Sequence, residues 1–166
     1  CVKGLSVPPM FASCRVADAV GHVMKTLGKY AEEKGIVLRT EGLDDLPVIL
    51  ADENRLFNAF YNLVNNAIPE VPAGGCITIR GSARPDAKVV LREVADTGRG
   101  MSPEVRARLF TARAISRKAG GTGLGTKIVK DVVDAHGGQI TVDSEEGKGT
   151  TFHLLLPICP PGCSLR

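Results

Sequence analysis

The chain has 166 residues, 43% hydrophobic and 23% charged, with a formal net charge of +3. That is one ordinary globular domain with a core of its own, and the charge is too mild to argue for a nucleic-acid partner. No apolar run approaches the ~20 residues of a membrane span and no signal peptide opens the chain, while five scattered cysteines without a CxxC pair argue against zinc and for reduced thiols, so a cytoplasmic domain without direct membrane contact is expected.

Residues 1–12 carry paired prolines and little periodicity; with the residues up to 15 they read as a linker. A start at Cys1 rather than Met reads as a piece of something longer. Apolar residues at Val16, Ala19, Val20, Val23, Met24, Leu27, Tyr30 and Ala31 recur at a helical period, and Gly35 ends that helix. Ile36 to Thr40 and Val48 to Ala51 read as short strands. A second helix starts near Asp52 and runs to about Ile68, where Pro69 and Pro72 stop it. Cys76 to Gly81 and Ala87 to Ala95 read as a hairpin turning at SARPD. Pro103 begins a short helix, residues 111–121 are polar and aperiodic, and a third long helix runs from about Leu124 to Ala135. Gln139 to Asp143 and Thr150 to Pro157 form a second hairpin across SEEGKGT, and residues 158–166 are a tail. This order lacks the alternation of a doubly wound parallel sheet. An α+β two-layer sandwich, with a mixed, mostly antiparallel sheet and helices on one face, fits better.

Three stretches carry the chemistry. The first is the glycine run Gly120-Gly121-Thr122-Gly123-Leu124-Gly125-Thr126-Lys127. A Walker A loop needs Lys directly after the last glycine and a hydroxyl after that; here the order is transposed and SRKAG precedes the run instead of a strand. The dinucleotide fingerprint fails on spacing and context. What remains is a glycine loop at a helix N-terminus, a place for an anion, with Arg117 and Lys118 able to reach a terminal phosphate. The alternative is that the glycines only let the backbone turn.

The second stretch is Asp96-Thr97-Gly98-Arg99-Gly100-Met101. A carboxylate leaves a strand end where glycines permit close ligand approach, and an adenine amine would satisfy it where guanine would not; an ordinary acidic turn is the other reading. The third is the helix from Asp52, whose core face is Phe60, Leu63, Val64 and Ala67. Asn58, Asn62 and Asn66 line up on another face. An amide oxygen suits Mg²⁺ already carrying phosphates, though a solvated polar face gives the same pattern.

Taken together and in this order, these pieces resemble the ATP-binding catalytic domain of sensor histidine kinases, in the superfamily with gyrase, heat-shock chaperone and mismatch-repair ATPases (the Bergerat ATP-binding fold). The match runs over Asn62-Leu63-Val64-Asn65-Asn66-Ala67, Asp96 to Gly100, Gly121 to Gly125 and Gly147-Lys148-Gly149-Thr150-Thr151-Phe152, and covers about residues 16–157. The resemblance implies ATP and Mg²⁺ as cofactors: Asn66 as metal ligand, Asn62 positioning the phosphates, Asp96 on the adenine amine with Thr150 near the same ring. Gly98, Gly100 and Met101 would belong to the base pocket. Gly121, Thr122, Gly123, Leu124 and Gly125 would cap the phosphates, and residues 99–120 would form a lid. It also implies an upstream dimerisation hairpin bearing the acceptor histidine, a downstream response regulator, and a homodimeric intact protein. Departures are Pro69 where the family often has a basic residue, Arg113 where a second lid Phe follows Phe110, and Thr126 in place of Leu.

Relatives that hydrolyse ATP unaided place a Glu four residues before the metal Asn; here Asn62 stands there, and an amide cannot take a proton from water at neutral pH. Histidine, already a nucleophile when neutral, is therefore the expected acceptor. His22, His136 and His153 lack the family's acceptor surroundings, and His22 and His136 read as structural. The alternatives are a non-catalytic nucleotide-sensing domain and an autonomous ATPase.

Overall fold

A computed structural model of the chain describes residues 8–86, 88–96, 124–145 and 149–160. Helices α1 (Val16–Glu33), α2 (Glu53–Ala67) and α3 (Leu124–Ala135) lie against a five-stranded sheet of β2 (Val37–Glu41), β4 (Cys76–Arg84), β5 (Lys88–Asp96), β7 (Gly149–Pro157) and β6 (Gln139–Glu145) in the spatial order β2-β4-β5-β7-β6. Among the described strands only the β2–β4 pair is parallel. This is the expected α+β sandwich with a mixed, mostly antiparallel sheet.

The core forms where the helical stripes meet one sheet face. Val20, Val23 and Leu27 of α1, and Leu56, Phe60, Leu63 and Val64 of α2, are buried together with Ile77, Ile79, Leu91, Leu154 and Leu156. Ala67, expected on the core face of α2, is only half-buried. Two helices end alike. Gly35 takes φ +73° after α1 and Ile36 N–H closes onto Ala31 O at 2.9 Å; Gly137 takes φ +70° after α3 and Gly138 N–H closes onto Val133 O at 2.9 Å, the left-handed glycine stop. A Cβ on Gly138 would fall on the Leu155 carbonyl oxygen, so the turn into β6 presses directly on β7.

Three readings are adjusted. Within the expected linker, β1 (Ala12–Cys14) pairs antiparallel with β3 (Ile49–Ala51), so the folded body begins ahead of Val16. Cys14 is buried there, and burial followed by the charges of Glu53, Asp18 and Asp52 pushes its thiol up to about 11. Ser82, Ala83 and Arg84, expected in the turn, continue the ladder opposite Val90, Val89 and Lys88. Pro69 does not end the chain's helical winding at once; it lies in a 3₁₀ turn, Ile68–Glu70.

The sheet face away from the helices carries a row of charged and polar side chains beside Val90, Val94 and Leu155. Arg80 pairs with Glu41 at 2.7 Å, while Arg92 Nε donates to His153 Nδ1 at 3.2 Å and His153 Nε2 donates to Asp143 at 2.9 Å. These contacts draw on all five strands, with none of them between β4 and β5. An open depression of about 250 Å³ lies among Glu41, Arg80, Ser82, Val90 and Arg92.

Candidate functional site

The asparagine stripe lies on α2, whose start is set by Asp52: its carboxylate accepts from Arg55 N–H at 3.2 Å, the side-chain cap that a helix N-terminus lacks by itself. Asn58 is exposed, and Asn62 and Asn66 are half-buried, so the stripe becomes more enclosed toward the helix C-terminus. Asn62 Nδ2 donates to Asn58 O at 2.6 Å, which turns its amide oxygen outward from that bond. Among the described residues Asn66 makes no side-chain hydrogen bond. Its oxygen is a hard, neutral, partly enclosed donor, which fits a Mg²⁺ ion that brings its own waters and phosphates. Among the described residues no group of three or more His, Cys, Asp and Glu converges.

Topology brings the other stretches to the same end of the sandwich. From Ala67 only residues 68–75 intervene before β4. The start of β4 faces the end of β5, with Ile77 opposite Ala95, and Asp96 is the next residue. Across β5 on its other side, Thr150 stands opposite Ala95 and Gly149 opposite Asp96. The start of α3 is placed there by its far end. α3 packs along α2, and His136 just beyond its C-terminus meets Asp52 just before the N-terminus of α2, so the two helices run antiparallel. At ~1.5 Å of rise per residue, Leu124 falls level with about residue 64 of α2, between Asn62 and Asn66. The first two helical residues, Leu124 and Gly125, close the glycine run.

Thus Asn62, Asn66, Asp96, Leu124, Gly125 and Thr150 share one end of the molecule. Gly98, Gly100, Met101, Arg117, Lys118, Gly121, Thr122 and Gly123 lie outside the described residues, as do the short helix at Pro103, the whole expected lid with Phe110 and Arg113, and the GKG start of the last motif up to Lys148. The depression on the open sheet face lies across the sheet from the helices and shares no residue with this end.

The histidines differ from one another. His22 is exposed on α1 with its ring 4.9 Å from that of Phe57, and His153 lies on the open sheet face. His136 is 1% exposed. Its Nε2 accepts from Asp52 N–H at 3.0 Å, and its Nδ1 donates to Val132 O at 2.8 Å, which fixes one neutral tautomer. Burial pushes the ring below its ordinary 6.5, although the Val132 carbonyl and the Asp52 carboxylate act the other way. For Asp52 burial alone would raise the carboxyl, but the amides of Met10 and Arg55, then the Arg55 guanidinium and His136, outweigh it and hold the group below its ordinary 3.8. Sequence reasoning treated His136 as structural without finding this partner. It also passed over Glu93, 1% exposed on the helix side of β5 three residues before Asp96; a charged residue among alternating apolar ones was the signal.

The family described as histidine kinase-, DNA gyrase B-, and HSP90-like ATPase matches residues 51–160. Sensor protein DivL of Caulobacter vibrioides is 38% identical over 143 residues, 86% of this chain and 18% of its own length. Sensor histidine kinase ZraS of Escherichia coli K12 is 37% identical over 139 residues, 84% of this chain and 29% of its own. Full-length ShkA in complex with AMPPNP superposes with a TM-score of 0.82 at 31% identity, over 96% of this chain and 34% of that one. The nucleotide-free catalytic domain of histidine kinase ThkA superposes at 0.81 with 25% identity, over 91% and 97%. The chain therefore spans less than a third of these two curated relatives.

Proposed function

This chain belongs to the family of histidine kinase-, DNA gyrase B-, and HSP90-like ATPases, and we propose that it is the ATP-binding catalytic domain of a sensor histidine kinase, moving the γ-phosphate of ATP to a histidine on an upstream hairpin. The observation that carries the reading is Asn62, half-buried and four residues before the half-buried Asn66 on α2. The family's hydrolytic members need a carboxylate there to activate water, and an amide cannot serve. Similarity to two sensor proteins, to AMPPNP-bound ShkA and to the catalytic domain of histidine kinase ThkA supports the same reading.

Phosphoryl transfer needs positioning and charge neutralisation more than covalent help. In this reading Asp96 accepts from the adenine amine beside Thr150, and Gly98, Gly100 and Met101 shape the base pocket. Asn62 orients the phosphates and Asn66 holds Mg²⁺, which supplies neutralising charge when bound. Gly121 to Gly125 cap the phosphates with amides at the start of α3, and Arg117 and Lys118 add positive charge beside the γ-phosphate. The intact protein would be a homodimer passing its phosphate to a response regulator, with this domain in the cytoplasm.

A second reading, a domain that binds nucleotide without transferring phosphate, is favoured by Pro69: it occupies the 3₁₀ turn where the family often carries a basic residue. One experiment separates the readings. Incubated with Mg·ATP and a separate polypeptide carrying the upstream hairpin, the chain should yield phosphohistidine while hydrolysing ATP only slowly alone. ATP binding without phosphohistidine moves the assignment to the sensor, and brisk multiple turnover by the chain alone moves it to the autonomous ATPases.

A further inference from the structure

The buried contact between His136 and Asp52 joins three segments rather than two. The Asp52 carboxylate is divided: Oδ1 accepts from Arg55 N–H at 3.2 Å within α2, and Oδ2 accepts from Met10 N–H at 3.0 Å, forty-two positions upstream. Arg55 Nε lies 3.3 Å from Oδ2 as well. The His136 ring is divided likewise, one nitrogen accepting from Asp52 N–H and the other donating to Val132 O of the helix that precedes it. Phe11, next to Met10, sets its ring edgewise to His136 at 5.3 Å and 68°. Immediately after, β1 zips onto β3, with Ala12 opposite Ala51. Met10 itself is 77% exposed, so its side chain does not bring the segment here; its amide does.

An ordinary N-cap needs only the first of these bonds. A buried backbone N–H must find an acceptor, and that of Asp52 finds one on His136, just beyond α3. An apolar residue at 136 would orphan it. The arrangement therefore fixes the start of α2, the end of α3 and the chain entering from upstream against one another. Both helices are stiff on this scale. Asn62 and Asn66 lie about 15 Å and 21 Å along α2 from Asp52, and Leu124 about 18 Å along α3 from His136.

We infer that His136 is a positioning residue for the nucleotide end: through Asp52 it clasps the incoming segment at Met10 to both helices that carry the site, so a displacement of the chain ahead of Met10 is felt at Asn62, Asn66 and the start of α3. The clasp is independent of what the site binds; its effect on a nucleotide rests on the function proposed above.

The test uses the 166-residue chain and three variants. Met10→Pro removes the upstream donor, with a constraint on the local backbone, and leaves Asp52 and His136 in place. His136→Gln keeps an acceptor near the position of the ring Nε2, and His136→Leu keeps bulk without one. Amide hydrogen exchange is followed site by site, and Mg·ADP binding by calorimetry. In the parent, a long-range proton–nitrogen spectrum should show the neutral Nδ1–H ring at neutral pH. Met10→Pro should raise exchange about fivefold, the effect of one lost hydrogen bond, at Asp52, Arg55 and the last turn of α3 together. It should weaken Mg·ADP several-fold. His136→Gln should fall between parent and His136→Leu in both readouts. The inference is overturned if Met10→Pro loosens residues 10–14 alone, with α2, α3 and nucleotide binding unchanged. That outcome stands even if His136→Leu fails to fold. Coupled exchange in a parent that binds no Mg·ADP would uphold the clasp and sink the nucleotide reading instead.

Discussion

At its first turn α2 is surrounded: Asp52 is buried, its carboxylate and its amide both hydrogen-bonded, and the ring that receives the amide is itself buried and satisfied. Ten and fourteen residues later the same helix presents Asn62 and Asn66, half-buried, with amide oxygens that accept nothing among the described residues. One end spends its polar groups on the fold, and the other keeps them for something outside it. A helix with both habits can be held rigidly where no chemistry occurs and remain open where it does. Substitutions at the two ends should accordingly fail in different ways.

The largest effect is expected at the open end. Asn66→Ala should reduce Mg²⁺-dependent phosphoryl transfer by roughly 100-fold or more, since a lost metal contact forfeits several kcal/mol of charge stabilisation. Stability should stay within about 0.5 kcal/mol of the parent, because the side chain has no described partner to lose. Single-turnover transfer assays and urea melts check the pair of outcomes. A melt that moves as much as the rate would erase the contrast between the ends.

The closed end should behave oppositely. His136→Leu leaves Asp52 N–H buried without an acceptor and takes the ring N–H from Val132 O, which keeps only the backbone N–H of residue 136, a destabilisation of about 2–4 kcal/mol. Most of any loss in transfer should then be recovered at low temperature, where the folded fraction is restored, save for the several-fold nucleotide effect of the clasp. Denaturation monitored by circular dichroism reads the first number directly.

Acid should sharpen the contrast further. The unfolded chain protonates this histidine near 6.5 and the folded chain only at lower pH, because burial disfavours the charged ring. Between those values the unfolded state binds more protons, so stability is full above 6.5 and is lost as pH falls through the folded value. Asp52, held below its ordinary 3.8, adds a loss of the same sign at still lower pH. The urea midpoint should therefore decline from pH 7 toward 5 in the parent and hardly at all in His136→Gln. An equal decline in both would place the titrating group elsewhere.

The open end of α2 was legible in the sequence because a period of four marks a helix face locally: Asn58, Asn62 and Asn66 announce themselves within nine positions, and Asp52 and Gly35 mark helix boundaries through chemistry confined to one turn. The closed end was not. His136 meets Asp52 across eighty-four positions, and nothing near either residue encodes the other. β1 was hidden for a related reason: three residues after a proline pair carry no alternation to detect, and only pairing with β3 makes them a strand. Ser82 to Arg84 look like a turn because that part of β4 is largely exposed, so polar residues there are compatible with a strand. Convergence of Asp96, Thr150 and the start of α3 on the asparagines likewise depends on strand register and on antiparallel helix packing, neither of which a motif states.

The smallest expected effect tests whether the stripe is one feature or two. Asn58 belongs to it by spacing, yet it is exposed and enters the hydrogen bonding only through its backbone carbonyl, which receives Asn62 Nδ2. Asn58→Ala retains that carbonyl. It also replaces a weak helix former with the best one, which should stabilise α2 by a few tenths of a kcal/mol. Transfer and Mg·ADP affinity should not change. The prediction differs in sign from Asn62→Ala, which removes the donor along with an amide oxygen that accepts nothing among the described residues and should slow transfer while barely moving the melt. A loss of activity in Asn58→Ala comparable to that in Asn62→Ala would extend the functional surface a full turn toward the clasp. The boundary between the two ends of α2 would then lie nearer to Arg55 than to Asn62.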